Sequence, residues 1–221
     1  MSKPRQVIPL DPEFFCDGHY YVLTSMSLGG SDRTPAAIAA VLGAGDEAAI
    51  TALLQEGICL PLFFDGDCAL DGMTQFVIGD LTESEERDWM GKLTAQLNIP
   101  CGKLVVLCGG GDPDEFAVAI SGASPDPDYV IFQVIDVPPG AYCVEIYAYL
   151  ASLTVQLSLA DGQDNAPWPA ATAAHHPEPE EVGYIIRLSP WSTALPLPAL
   201  VPEIGWCGQF EWRQPDRPGE R

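Results

Sequence analysis

Two apolar runs separated by Pro138-Pro139-Gly140 constrain this chain more than any other feature. Residues 129–137 and 141–150 are rich in β-branched and aromatic side chains, the composition of strands. Pro139 and Gly140 suit the two central positions of a type II turn, so the segment reads locally as a hairpin. Both runs are apolar at odd and even positions alike, with Gln133 and Glu145 as the mid-strand polar residues. That pattern expects a strand pair between two layers rather than at a wet edge.

Further strands are expected at 18–25, 58–64, 103–108, 153–159 and 182–188. Thr34-Pro35 and Asp46 each open a short helix, the second with Ile50, Leu53 and Leu54 on one face and Gly57 as its stop. Thr82 and Glu85 form a capping-box pattern, and Trp89, Leu93 and Leu97 follow at four-residue spacing, which predicts a helix continuing to Asn98. Gly109-Gly110-Gly111 leads into Asp112-Pro113, another capped start, for a helix reaching about Ile120. These elements predict an α+β fold: a mostly antiparallel sheet built around the Pro-Pro-Gly hairpin, with short helices from the N-terminal half packed on it. Composition shifts near residue 122, dividing an α/β-like 1–122 from a β-rich 123–221, as two small domains or as one domain sharing a core. Residues 160–181 lack periodicity and read as a long loop, and Trp206 to Trp212 is expected to close the sheet.

Charge narrows the partners. From Leu104 to Ile186 there is no lysine or arginine, while twelve carboxylates accumulate, and the whole chain carries −21. A hydrophobic content of 47% sets it apart from disordered acidic tails. Nucleic acid is excluded as a partner, because neutralising phosphates needs clustered Lys and Arg and the ten here are scattered. No apolar stretch has the length of a secretory leader or a membrane span, so no membrane association is expected. Seven cysteines, odd in number and beside apolar runs, suggest reduced, mostly buried thiols and a cytoplasmic location.

Candidate sites are few. Asp65, Asp67 and Asp71 share a glycine-bearing loop that suits a hard cation, although Ala69 and Phe76 stand where two further ligands of a calcium loop belong. His175 and His176, with Glu178, Glu180 and Glu181, offer imidazole and carboxylate in one loop. The glycines at 109–111 lack the lysine of a phosphate loop, and no motif calls for a cofactor. Trp168, between two prolines, is a candidate protein-binding anchor. Glu145 is another, since a carboxylate in the middle of an apolar strand demands a partner if buried. The reading that follows is a non-enzymatic module, of the inhibitor or immunity type, whose acidic face docks on a basic protein. A metal-assisted hydrolase using Asp65, Asp67, Asp71 or the histidine pair is the alternative, and acidity that serves only solubility is a third.

Overall fold

The structure is a computed structural model that describes residues 5–64, 66–160, 181–191, 197–198, 200–201, 205–206 and 210–213. In chain order, β1 (Gln6–Pro9) and β2 (Tyr20–Ser25) precede α1 (Pro35–Ala44) and α2 (Glu47–Gln55). Next come β3 (Cys59–Phe63), β4 (Thr74–Ile78), α3 (Glu83–Asp88), β5 (Gly91–Ile99) and β6 (Lys103–Cys108). Then follow α4 (Pro113–Ile120), β7 (Phe132–Asp136), β8 (Gly140–Ala148), α5 (Leu153–Ala160) and β9 (Tyr184–Pro190). Three two-residue strands, β10 (Leu200–Val201), β11 (Gly205–Trp206) and β12 (Glu211–Trp212), complete the described chain.

The fold is α+β and mostly antiparallel. One sheet has the order β1-β4-β9-β8-β5-β12, the second β3-β2-β6-β7, and β10 pairs with β11. Among these pairings only β4 with β9 runs parallel, so β9 joins the β1-β4 pair to the rest of its sheet. The two large sheets share one core. Phe64 meets Tyr21 of the smaller sheet at 5.5 Å and Tyr184 of the larger at 5.4 Å, both edge to face, a geometry that aromatic quadrupoles favour. Val22, on the opposite face of β2 from Tyr21, packs toward α1 and the glycine run ahead of α4.

The chain around Pro138-Pro139-Gly140 is a corner rather than a hairpin. β7 pairs with β6 and β8 pairs with β5, in different sheets, so residues 91–108 and 132–148 form one antiparallel ribbon that bends as it crosses between layers. At the bend, Ile99 lies opposite Gly140 and Lys103 opposite Asp136. Strands that switch sheets need such a break, and two residues supply it. Pro139 has no N–H to give a ladder, and Gly102 sits at φ 73 with its missing Cβ only 2.9 Å from the Val137 carbonyl oxygen.

Two more elements differ from expectation. The capping box at Thr82 forms, but α3 ends at Asp88, and Gly91–Ile99 is a strand whose burial alternates strictly. Leu93 and Leu97 share a face at either period, and pairing along the whole of β5 with β8 decides for period two. Residues 153–160 form a helix rather than a strand. Its first turn is satisfied by one local and one tertiary partner: Ser152 Oγ accepts from Val155 N (3.3 Å) and Tyr184 Oη from Thr154 N (2.9 Å).

The reduced-thiol expectation fails for one pair. Cys16 and Cys108, 92 residues apart, are joined as a disulfide with Cα atoms 5.4 Å apart. Antiparallel β2 and β6 bring Cys108 opposite Tyr21, close to the chain that enters β2, and sequence spacing carries no sign of that register. Cysteine usage therefore gives no ground for a reducing compartment. Among the described residues, no helix is long and apolar enough to cross a membrane.

The glycine run is explained by close packing. Gly110 has φ 129, and a Cβ there would lie 2.5 Å from Val22 Cγ2. Gly110→Ala is expected to cost about 1–3 kcal/mol through the clash and the unfavourable backbone angle. The check is a lower urea midpoint at unchanged slope.

Candidate functional site

Between α4 and β7 the chain makes a tight turn. Tyr129 N donates to the Asp126 carbonyl (3.0 Å), and Asp126 Oδ1 accepts from Asp128 N (2.9 Å), the local bonding that favours Asp in turns. Phe15 N donates to the Val130 carbonyl (2.8 Å), laying the segment ahead of β2 beside this turn. Extended backbone then sends neighbouring side chains opposite ways: Phe14 stacks on Tyr21 in the core, and Phe15 stays outside, its ring 6.1 Å from that of Tyr129. On α4, Phe116 and Ala119 take the core face and leave Val118 on the outer one.

Phe15, Val118 and Tyr129 are 44%, 48% and 45% exposed, three of the five exposed large apolar side chains among the described residues. Their concentration at one place separates them from the scattered apolar residues that any surface carries. A groove of about 250 Å³ opens between Val118 and Tyr129, lined also by Asp114, Glu115, Asp126, Ile131 and Phe132, and Phe15 adjoins it through the Tyr129 ring.

The rim is acidic. Asp114, Glu115 and Asp126 line the groove, Asp112 and Asp17 lie near enough to act on Glu115, Asp128 belongs to the Asp126 turn, and none is in an ion pair among the described residues. Some have local duties: Asp112 Oδ1 accepts from the N–H groups of Asp114 (2.8 Å) and Glu115 (3.1 Å), capping α4. Glu115 is held above the usual carboxylate range by partial burial and then by the charges of Asp112 and Asp17. An apolar floor with an uncompensated negative rim is a surface for a cation that carries or adjoins an apolar group.

The other candidate residues lie elsewhere. Glu145 projects from the solvent-side face of β8, opposite Arg187 of β9 and Thr94 of β5. Its side chain is 14% exposed and that of Arg187 17%. Glu145 Oε2 accepts from Arg187 Nη1 at 3.0 Å and Oε1 lies 3.7 Å from Lys92 Nζ, while Arg187 also donates to the Gly79 carbonyl (2.8 Å) and Asp80 Oδ1 (3.2 Å). Trp89 sits beside this network, under Lys92 and Arg213 and edge to face with Tyr147. The carboxylate is thus engaged within its own sheet.

Asp67 Oδ1 stands 3.3 Å from His19 Nε2. Asp71 Oδ1 accepts from Met73 N (2.9 Å) in a turn, with burial raising its pKa. Asp65, Trp168, His175, His176, Glu178 and Glu180 lie outside the described residues. Among those described, no three His, Cys, Asp or Glu side chains converge in a way that could hold a metal ion. Sequence reasoning missed Phe15, Val118 and Tyr129. The Phe14-Phe15 doublet was a usable signal, because extended chain with one buried face leaves one of two adjacent aromatics outside.

No family model matches the chain. No curated protein matches it either. Among solved structures it is similar to the product of crocagin biosynthetic gene J, at 12% identity and a TM-score of 0.37, covering 84% of this chain and 95% of that one. It is also similar to ComJ, inhibitor of the DNA degrading activity of NucA, from Bacillus subtilis, at 10% identity and a TM-score of 0.32, covering 86% of this chain and 98% of that one. Both likenesses are too loose to carry function across.

Proposed function

We propose that the protein is a non-enzymatic binding module, of the inhibitor or immunity type, that takes a basic segment of a partner protein into the groove between α4 and β7. The observation that supports this reading is the grouping of Phe15, Val118 and Tyr129 beside carboxylates that have no ion-pair partner among the described residues. An apolar anchor surrounded by polar groups is the usual anatomy of a binding hot spot, and unpaired charge of one sign steers a partner of the other. A second copy of this chain is a poor occupant, since it brings the same carboxylates and a net charge of −21.

The probe is an amidated peptide of one leucine and one phenylalanine flanked by lysines, with a glutamate-flanked version as control. Amide shifts in heteronuclear NMR are expected to centre on Phe15, Val118 and Tyr129 for the lysine peptide alone. Raising salt from about 0.01 to about 1 M shortens the screening length from about 30 to about 3 Å and should abolish them. Val118→Ser with Tyr129→Ser should lower affinity at least tenfold while leaving the rim charge intact. Shifts spread evenly over the acidic surface, or binding indifferent to the serine substitutions, would overturn the assignment.

A further inference from the structure

The disulfide has a third cysteine against it. Cys68 lies in the loop between β3 and β4, is exposed, and donates its S–H to the carbonyl oxygen of Cys16 at 2.9 Å. Its backbone is left-handed, at φ 55, a conformation uncommon for a residue with a side chain. The other free thiols among the described residues are placed differently. Cys59 is fully buried, Cys101 sits at the ribbon bend with its thiol on the Lys103 carbonyl, and Cys143 is half-buried on the outward face of β8. Among the described free thiols, only Cys68 combines exposure with contact to a residue of the disulfide.

We propose that Cys68 is the exchange partner of the Cys16–Cys108 disulfide, so that the three cysteines form a thiol-exchange site open to thiols in solution. In the step, Cys68 gives up its proton and the thiolate attacks Cys16 Sγ. The Cys16–Cys68 bond forms, the Cys16–Cys108 bond breaks, and its electron pair leaves on Cys108, which takes up a proton. One disulfide and one thiol are present before and after, and nothing is consumed. A small thiol reaches the same chemistry from outside: its thiolate attacks Cys16 Sγ, Cys108 leaves and takes up a proton, and Cys68 then displaces the small thiol from the mixed disulfide at Cys16. The exchange frees Cys108, which ends β6 just ahead of the glycine run and α4, from the segment that carries Phe15 and Asp17. That bond ties the chain leading into α4, which lines the acidic groove, to the segment carrying Phe15. The effect on binding, unlike the exchange itself, rests on the groove reading.

The test is a disulfide map of the full chain after incubation at mildly alkaline pH with a trace of reduced glutathione, followed by alkylation and trypsin. Before exchange, the peptide from Gln6 to Arg33 is linked to that from Leu104 to Arg187. Afterwards a link from Gln6–Arg33 to Thr34–Arg87 should appear, placed at Cys68 by fragmentation, with Cys108 alkylated in step. Cys68→Ser should abolish that link and slow Cys108 alkylation at least tenfold, and an unchanged melting temperature will establish that this exposed position tolerates serine. Three outcomes overturn the proposal: Cys16 and Cys108 both alkylated at the start, no link to Cys68, or Cys108 alkylated as fast in the variant. Lysine-peptide affinity measured on the exchanged form separates the two readings, because the map stands whether or not the groove binds.

Discussion

Replacing Glu145 by leucine is expected to cost about 1–3 kcal/mol of unfolding free energy, the range for leaving a part-buried polar group without its hydrogen-bond partner. The cost arises from what is left behind. Arg187 is 17% exposed, and without Glu145 its guanidinium keeps the Gly79 carbonyl, the Tyr147 hydroxyl and the surface carboxylate of Asp80. Lys92 loses its carboxylate as well and keeps the Trp89 ring. The double variant Glu145→Leu with Arg187→Leu should recover most of the loss, because both charges are then gone and Val77 and Ile185 lie in the same face. Urea unfolding of the two single variants and the double variant decides it. A Glu145→Leu variant as stable as the parent would mean that solvent reaches the pair freely.

Alkali is expected to unfold the protein between pH 10 and about 12. Tyr184 is almost wholly buried, its hydroxyl bonded to Thr154, and desolvation by burial pushes its pKa up from 10.0 to about 12. The folded state therefore holds the proton more tightly than the unfolded chain. The stabilisation is fully present below pH 10 and is lost as pH rises through about 12. Two units correspond to about 3 kcal/mol from this residue. Burial raises Tyr21, Tyr147 and Tyr149 in the same direction, so their losses add to it. Tyrosinate absorbance and circular dichroism, followed together, should change in one cooperative step. Ionisation of most of the tyrosines near pH 10, with secondary structure intact, would show that these hydroxyls are open to water.

Local chemistry was legible in the sequence wherever it depends on neighbours. Thr34, Asp46, Thr82 and Asp112 all cap the helices their spacing announces, because a cap needs only a side chain and the next few N–H groups. The class of the fold followed from the same elements. Pairing was not legible, since it is decided by strands far away. The runs on either side of Pro138-Pro139-Gly140 read as partners, yet they belong to different layers, β8 inside its sheet between β5 and β9 and β7 at the edge of its own beside β6. Leu93 and Leu97 fit helix and strand equally, and only Lys92, Thr94, Gln96 and Asn98 between and beside them reveal the strand. The site was least visible: Phe15, Val118 and Tyr129 are distant in sequence and become a group only when the 14–15 segment lies beside Val130. Glu145 did announce itself, as a charge in an apolar strand, but naming Arg187 as its partner required the register of β8 on β9.

The position of β9 sets the order in which this chain can be completed during synthesis. Strands β4 and β8 both wait for Tyr184–Pro190, one in parallel and one in antiparallel, and until those residues leave the ribosome each presents an open backbone edge. Among the described residues, the β1-β4 pair has no other link to its sheet. A nascent chain interrupted before Tyr184 thus holds two separate half-sheets with apolar inner faces, a substrate for chaperones or for aggregation, and its strong negative charge is what keeps such chains apart from one another.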